Sequence, residues 1–188
     1  MQRIIISLSG YPYAGKTTTA KLLLEIFGDK AEAVLAGNLC RKEAERNPLR
    51  NEQWTPYRKS GLPVPGRFIF DFLQDRFNET TSHIVVLDNF ILNLEYLNFF
   101  NELTKGCSVE HWFVDAPKKV RFERFMKRRQ AENRVEDLNT SFEERDAIFG
   151  AYTFPALSKI MEEGDFTVLD AEEDVSSHIH RFAEKLLF

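Results

Sequence analysis

Short apolar runs punctuate the chain at Arg3 to Leu8, Ala33 to Leu35, Ile84 to Leu87, Val109 to Val114 and Phe166 to Leu169. Most lack polar alternation and are rich in Val and Ile, which suits strands covered on both faces, as in a parallel sheet. Between them, hydrophobicity repeats at helical spacing. Lys16 to Phe27 places Ala20, Leu23, Leu24 and Phe27 on one face and stops at Gly28, a residue type that ends helices. Further helices are predicted at Asn38–Arg46, Gly66–Phe77, Leu92–Leu103, Pro117–Ala131, Ser141–Met161 and Asp174–Leu187. Strands alternating with helices predict an α/β fold: a five-stranded parallel sheet with right-handed crossovers, flanked by helices, whose ligands sit at the carboxyl ends of the strands. Asn47 to Gly66 breaks the rhythm with Pro48, Pro56, Pro63 and Pro65 and is expected to be an insertion over that cleft.

Composition narrows the class. At 188 residues and 43% apolar side chains, the chain is expected to form one domain, 1–188, around one core. No apolar run approaches the ~20 residues that span a bilayer, and the first run is too short for a signal peptide. A soluble cytoplasmic protein with no membrane partner is expected. Cys40 and Cys107 stand far apart without metal-site spacing and read as thiols. A formal net charge of −4 argues against general nucleic-acid binding. The average hides a basic stretch, in which Lys118, Lys119, Arg121, Arg124, Lys127, Arg128 and Arg129 outnumber Glu123.

The chemistry starts directly after the first run, at Ser9-Gly10-Tyr11-Pro12-Tyr13-Ala14-Gly15-Lys16-Thr17-Thr18. G-x-x-x-x-G-K-[ST] between a strand and a helix lets successive backbone N–H groups curl round an anion, while the helix aims its positive end there. Gly10, Tyr13, Ala14, Gly15, Lys16, Thr17 and Thr18 are the candidate ATP-binding residues, although the side chains of Thr18 and Thr19 read as plain helix positions. Lys16 would reach the β and γ phosphates, and the Thr17 hydroxyl would take a place on Mg²⁺. A second metal support is expected where a carboxylate ends a neighbouring strand, and His83-Ile84-Val85-Val86-Leu87-Asp88 supplies Asp88. The alternative for Asp88 is a helix N-cap.

On a helix, Arg121, Arg124 and Arg128 share one face. Forked guanidinium groups match phosphoryl oxygens better than ammonium does. Arg134 and Arg145 follow, the first before Glu136-Asp137. A solvated basic face or a nucleic-acid patch is the competing reading of the stretch.

Taken together, these residues resemble the nucleoside monophosphate kinases of the adenylate and UMP/CMP kinase type, nearly end to end. The loop from Gly10 to Thr17 is similar to that family's G-x-P-G-x-G-K-G/S-T, Ala36-Gly37-Asn38-Leu39-Cys40-Arg41 to its acceptor motif, and Gly61-Leu62-Pro63-Val64-Pro65 to its G-x-x-V-P segment. Glu123-Arg124 to Arg128, Arg134-Val135-Glu136-Asp137 and Glu144-Arg145 resemble its short lid and flanking helices. The resemblance implies the P-loop kinase fold, with an acceptor-binding insertion at about 36–66 and a lid at about 128–138. It implies that ATP is co-substrate with Mg²⁺ as cofactor, in a chain acting as a monomer. Arg124 would stack on the donor adenine. Lys16, Arg128, Arg134 and Arg145 would be catalytic, surrounding the moving phosphoryl group, with Glu136 and Asp137 holding the lid arginines. Arg41, Asn38 and Val64 would bind the acceptor, a nucleoside monophosphate. Such a transfer needs no strong general base, because the attacking oxygen is already anionic.

The acceptor half departs from the pattern. Where the family reads L-D-G-F-P-R, this chain has Leu87-Asp88-Asn89-Phe90-Ile91-Leu92, so Leu92 stands at the arginine that grips the acceptor phosphate. Leu94-Glu95 occupies the place of the base-reading glutamine, and Asn38 that of an aspartate. Losing one charged clamp costs about 1.5–3 kcal/mol unless another cation replaces it. Arg46, Arg50, Arg58 and Arg67 are the candidates. Trp54, Tyr57, Phe68 and Phe72 near that pocket are expected to be core. The main reading is ATP-dependent transfer to a nucleoside monophosphate. A P-loop kinase of another small metabolite, and a nucleotide-binding regulatory protein without productive transfer, are the alternatives.

Overall fold

The computed structural model describes residues 2–132, 134–164, 166–172 and 175–187, without the side chains of 185–187. Five parallel strands, β1 (Ile4–Gly10), β2 (Ala31–Leu35), β3 (Ile84–Asp88), β4 (Ser108–Asp115) and β5 (Phe166–Asp170), lie in the order β2-β3-β1-β4-β5. Each expected run is a strand whose ends lie within two residues of those expected, β1 starting one residue later, at Ile4. Alternation explains why an unbroken apolar run suits the sheet. Ile5, Val85 and Leu87 point into the core on one face, and Ile6, Leu8, Ile84 and Val86 into the core on the other.

The second of these cores lies under α1 (Lys16–Phe27) and α10 (Val175–Leu187). The first is covered by α4 (Phe70–Asn78), α5 (Leu94–Leu103) and α9 (Phe154–Glu163), with Trp54, Phe72, Phe100 and Leu157 among its buried members. The basic helix α6 (Lys118–Glu132) leads through the short α7 (Val135–Asn139) to α8 (Phe142–Ile148), which opens on a capping box between Ser141 and Glu144. No described helix is long and apolar enough to cross a membrane.

Two departures from expectation have local causes. The proline-marked stretch is largely helical: α2 (Ala36–Arg46) is followed at once by α3 (Pro48–Ser60). Pro48 sits at the start of α3, where its missing N–H costs nothing, Asn47 caps it by accepting from Arg50 N at 3.2 Å, and Gly61 ends it at φ 71°. Pro56 stands inside the helix, a burden of about 3 kcal/mol. Against it works Trp54, fully buried, its Nε1 donating to Phe68 O at 3.0 Å. The helix expected over Ser141–Met161 is instead α8, a wide π turn at Phe149–Thr153, and α9. Pro155 near the start of α9 has no N–H to give the preceding turn, and the wide turn absorbs that loss. Asp174, the expected start of the last helix, lies outside the described residues.

Sheet order places β1 in the middle with β3 and β4 beside it, so the loop after β1 and the end of β3 meet at one carboxyl edge. Leu8 pairs in register with Asp88, and Asn89 N donates to Leu8 O at 3.0 Å. That edge opens into a cleft of about 1020 Å³.

Candidate active site

The loop after β1 is shaped by left-handed backbone. Gly10, Tyr13 and Gly15 have φ of 145°, 66° and 115°. A Cβ on Gly10 would collide with Val114 O, so only glycine fits beside β4 there. At Tyr13 a non-glycine residue in this region costs about 1–2 kcal/mol. Gly15 starts α1 without a side-chain cap, and no acidic residue occupies the first turn. The N–H groups of that turn and the positive end of the helix therefore remain available to an anion. Lys16 Nζ lies inside the loop, donating to Gly10 O and Tyr11 O at 2.8 Å each. Burial pushes its ammonium down to about 8, against the pull of Asp88 and with the help of Arg128, Arg145 and Arg121.

Thr17 Oγ1 donates to Asp88 Oδ2 at 2.8 Å. Asp88 is buried, and its Oδ1 has no hydrogen-bond partner. Burial raises its pKa, with Lys16 and the Thr17 hydrogen bond opposing. An orphaned, buried carboxylate oxygen beside a hydroxyl suits a hard, oxygen-seeking cation such as Mg²⁺.

The arginines reach the cleft from several elements, each engaged by the protein. Arg124 Nη1 donates to Ala14 O at 2.5 Å and Nη2 to Ala171 O at 3.5 Å, bridging the loop after β1 and the loop after β5. Arg128 donates Nε to Asp137 Oδ2 at 2.7 Å and Nη2 to Oδ1 at 2.8 Å. Burial works against the Arg128 charge, but these bonds and the Asp137 carboxylate outweigh it and hold its pKa above the ordinary value. Arg134 Nε donates to Glu132 at 2.5 Å, and Arg145 Nη1 to Gly61 O at 2.8 Å. Arg41, on α2, donates to Glu136 at 3.0 Å and to Asn38 Oδ1 at 2.5 Å. Burial and then the charge of Arg134 hold the Arg41 guanidinium below its ordinary pKa, with Glu136 opposing. Glu136 thus holds an arginine of the 36–66 segment, while Asp137 holds Arg128.

The cleft brings together the candidates Gly10, Tyr13, Ala14, Gly15, Lys16, Thr17, Thr18, Asn38, Arg41, Val64, Asp88, Arg124, Arg128, Arg134 and Arg145. Arg121 is diverted from the face it shares with Arg124 and Arg128 in sequence. It is buried, its Nε donates to Ala116 O at 3.1 Å, it pairs with Asp146, and it lies 4.3 Å from the centre of the Tyr11 ring. Of the substitute cations considered beside Leu92, Arg58 lines the cleft. Arg50 pairs with Glu43 at 3.5 Å and lies over Trp54 and Phe72, and Arg67 lies over Phe68. Leu92 itself lines the cleft.

Two polar side chains named in the sequence have partners that it did not disclose. Glu95 accepts from Gly66 N at 3.1 Å, which fixes the end of the 36–66 segment. Tyr13 reaches across the molecule to Asp137, and its signal was a bulky residue where the similar family's loop has glycine.

No protein-family model matches the chain. The chain is 25% identical over 170 residues to adenylate kinase 1 of Synechocystis sp., a match that covers 89% of each. To adenylate kinase isoenzyme 1 of Homo sapiens it is 24% identical over 92% of this chain and 89% of that protein. To adenylate kinase of Nautilia profundicola it is 27% identical over 69% of this chain and 70% of that one. With the parallel sheet and the loop after β1, these likenesses support the nucleoside monophosphate kinase family and the P-loop kinase fold. Over most of its length the chain is similar to adenylate kinases, which supports a phosphotransferase of that kind.

Proposed function

We propose that this protein transfers the γ-phosphoryl group of ATP to a nucleoside monophosphate, giving ADP and a nucleoside diphosphate. The observation that carries the reading is the convergence of Lys16, the Thr17–Asp88 pair and Arg41, Arg124, Arg128, Arg134 and Arg145 on one cleft. In this reading 36–66 is the acceptor-binding insertion and 128–138 the lid. In this reading the protein acts as a monomer, and the free thiols of Cys40 and Cys107 suit the cytoplasm.

Amides of the loop and the start of α1 receive the β and γ phosphates, and Lys16 leaves its loop carbonyls to follow them. Thr17 and Asp88 hold Mg²⁺, which when bound neutralises charge on the phosphate oxygens. Arg124, held between Ala14 O and Ala171 O, stacks on the donor base in this reading. Asn38 orients Arg41 toward the acceptor phosphate, while Val64 shapes the wall beside it. Arg128, Arg134 and Arg145 then stabilise charge spread over the phosphoryl oxygens in flight. Alignment and charge neutralisation supply the acceleration, because the attacking phosphate oxygen carries no proton to remove.

A second reading, transfer to another small metabolite, is favoured by the acceptor side. Tyr96 Oη donates to Val64 O at 2.6 Å, Trp54 Nε1 to Phe68 O, and Glu95 is taken by Gly66 N. With Leu92 beside them, these groups leave few polar side chains to read a base edge. An acceptor with one anionic group for Arg41 or Arg58 and an apolar body would also fit. The test measures ADP formed from Mg-ATP with each nucleoside monophosphate, then with non-nucleotide phosphates and hydroxylated metabolites, using wild type and Lys16→Ala. Monophosphate-dependent ADP that Lys16→Ala abolishes is expected. Stimulation only by a non-nucleotide acceptor selects the second reading, and tight ATP binding without turnover would overturn both.

A further inference from the structure

Tyr13 is an odd residue for its place. It sits within the phosphate loop at φ 66°, a backbone region natural to glycine, and its side chain is buried. The ring lies edge-on to Phe125 with centroids 5.1 Å apart, and 5.9 Å from Phe142. The Arg128 guanidinium covers its other side at 4.4 Å. Its hydroxyl donates to Asp137 Oδ1 at 2.9 Å, bridging 124 residues of sequence.

Asp137 has no exposed surface. Its Oδ1 accepts from both Tyr13 and Arg128, and its Oδ2 from Arg128 Nε. The described residues give the remaining nitrogen of Arg128, Nη1, no hydrogen bond, and Arg128 lines the cleft. A carboxylate held by a third donor from the loop cannot rotate freely, so the plane of the guanidinium paired to it is fixed as well. Burial, then the Asp137 charge, pushes the phenol up to about 12, so the hydroxyl stays protonated and donating across the working range of pH. A glycine at this position has no atom that reaches Asp137.

We propose that Tyr13 is a positioning residue: its hydroxyl locks the Asp137 carboxylate that aims Arg128, and so ties the phosphate loop to the lid. The proposal rests on the role assigned above to Arg128. The loop then carries part of the lid's geometry, and correct seating of the donor phosphates sets the orientation of a cation that acts on the transferred group. Asp137 and Tyr13 touch no reacting atom in this scheme, and their effect passes through Arg128.

The test is a double-mutant cycle on the full chain. Tyr13→Phe keeps the ring in its aromatic cluster and removes only the hydroxyl. It should lower kcat about tenfold, with KM for ATP changed less than about twofold, because the lost alignment matters most when charge is moving. In an Arg128→Ala background the same change should cost no further kcat. Tyr13→Gly, which φ 66° accepts without strain, should lower kcat at least as much as Tyr13→Phe. Equal kcat for Tyr13→Phe and wild type, or additive losses in the cycle, would overturn the tether while leaving the Arg128 role intact. Unchanged kcat in Arg128→Ala alone would overturn both. A Tyr13→Phe protein with a lower Tm but wild-type kcat would show that the hydroxyl serves folding only, and the proposal would fall.

Discussion

Replacing Asp88 by Asn separates the folding cost of this carboxylate from the metal-holding role proposed for it. The carboxylate is buried, and one oxygen accepts from Thr17 while the other has no partner. Burial is the largest influence on it and exceeds the opposing charge of Lys16, so its pKa lies above the unfolded value. The sign follows. Between the unfolded pKa, near 3.9, and the raised folded pKa, the native state holds more protons than the unfolded chain. Stability is then greatest below the unfolded pKa and is lost as pH rises through the folded one. Asn keeps a partner for the Thr17 hydroxyl and removes the charge. The amide still leaves one atom without a partner, so the gain at neutral pH, about 1 kcal/mol or more, is the excess that an unsatisfied buried charge costs over an unsatisfied neutral group. For a chain of 188 residues each kcal/mol moves Tm by roughly 2–4 °C, so a rise of several degrees is expected. The same change should reduce Mg-ATP turnover by about 10–100-fold, the usual loss when a metal's support is removed. Thermal melts of both proteins at pH 4 and pH 7, with and without Mg-ATP, read both effects. The gap between variant and wild type should widen from pH 4 to pH 7, and Mg-ATP should stabilise the variant less. A variant less stable than wild type at pH 7, or one that Mg-ATP stabilises as well as wild type, would refute the reasoning.

Lys16 gives a second pH signature. Its pKa falls from 10.5 to about 8 on folding, so between these values the unfolded chain binds the extra proton and nucleotide-free stability should rise with pH. Lys16→Met should flatten that rise in melts from pH 7 to pH 10, and an unchanged slope would mean the ammonium is not desolvated. On the acceptor side, Leu92→Arg returns a cation to the cleft wall. If the acceptor is a monophosphate, its KM should drop about tenfold or more, as one charged hydrogen bond is worth about 1.5–3 kcal/mol. A raised KM with kcat intact would favour an apolar acceptor body instead.

The strands and most helices were legible because the signals that make them are local. Residues of β3 alternate between two buried faces, and a run without charge has no other stable home. The errors arose where one residue type has two meanings. Prolines between Asn47 and Gly66 read as breakers, yet Pro48 begins a helix and Gly61 ends it. Pro155 likewise falls at the start of α9 rather than inside one long helix. Position relative to a cap decides these cases, and the cap is visible only once the helix is placed.

Within the cleft, legibility stopped at side-chain partners. The shape of the loop after β1 and the place of Asp88 at the end of β3 were readable because both follow from the local backbone pattern. Which acceptors hold the arginines was not, since Arg145 finds Gly61 O across 84 residues and Arg124 finds Ala14 O across 110. Those partners change how the cations work. Cations gathered in one cleft would repel one another if bare: after burial, the larger cause, Arg134 and Arg128 lower the pKa of Arg41, and Arg128 and Arg145 that of Lys16. Glu136, Asp137 and Glu132 offset that repulsion, each pairing with a different arginine. An incoming phosphate therefore meets guanidinium groups that are already oriented, and competes with or joins a carboxylate or carbonyl at each one. Net binding gains little from such exchanges, but alignment gains much, because the ordering of long side chains is complete before the substrate arrives. In a reaction that needs positioning and charge neutralisation rather than a base, such a division of labour favours kcat over ground-state affinity. On the proposed function, the acidic partners belong to that machinery as much as the arginines do.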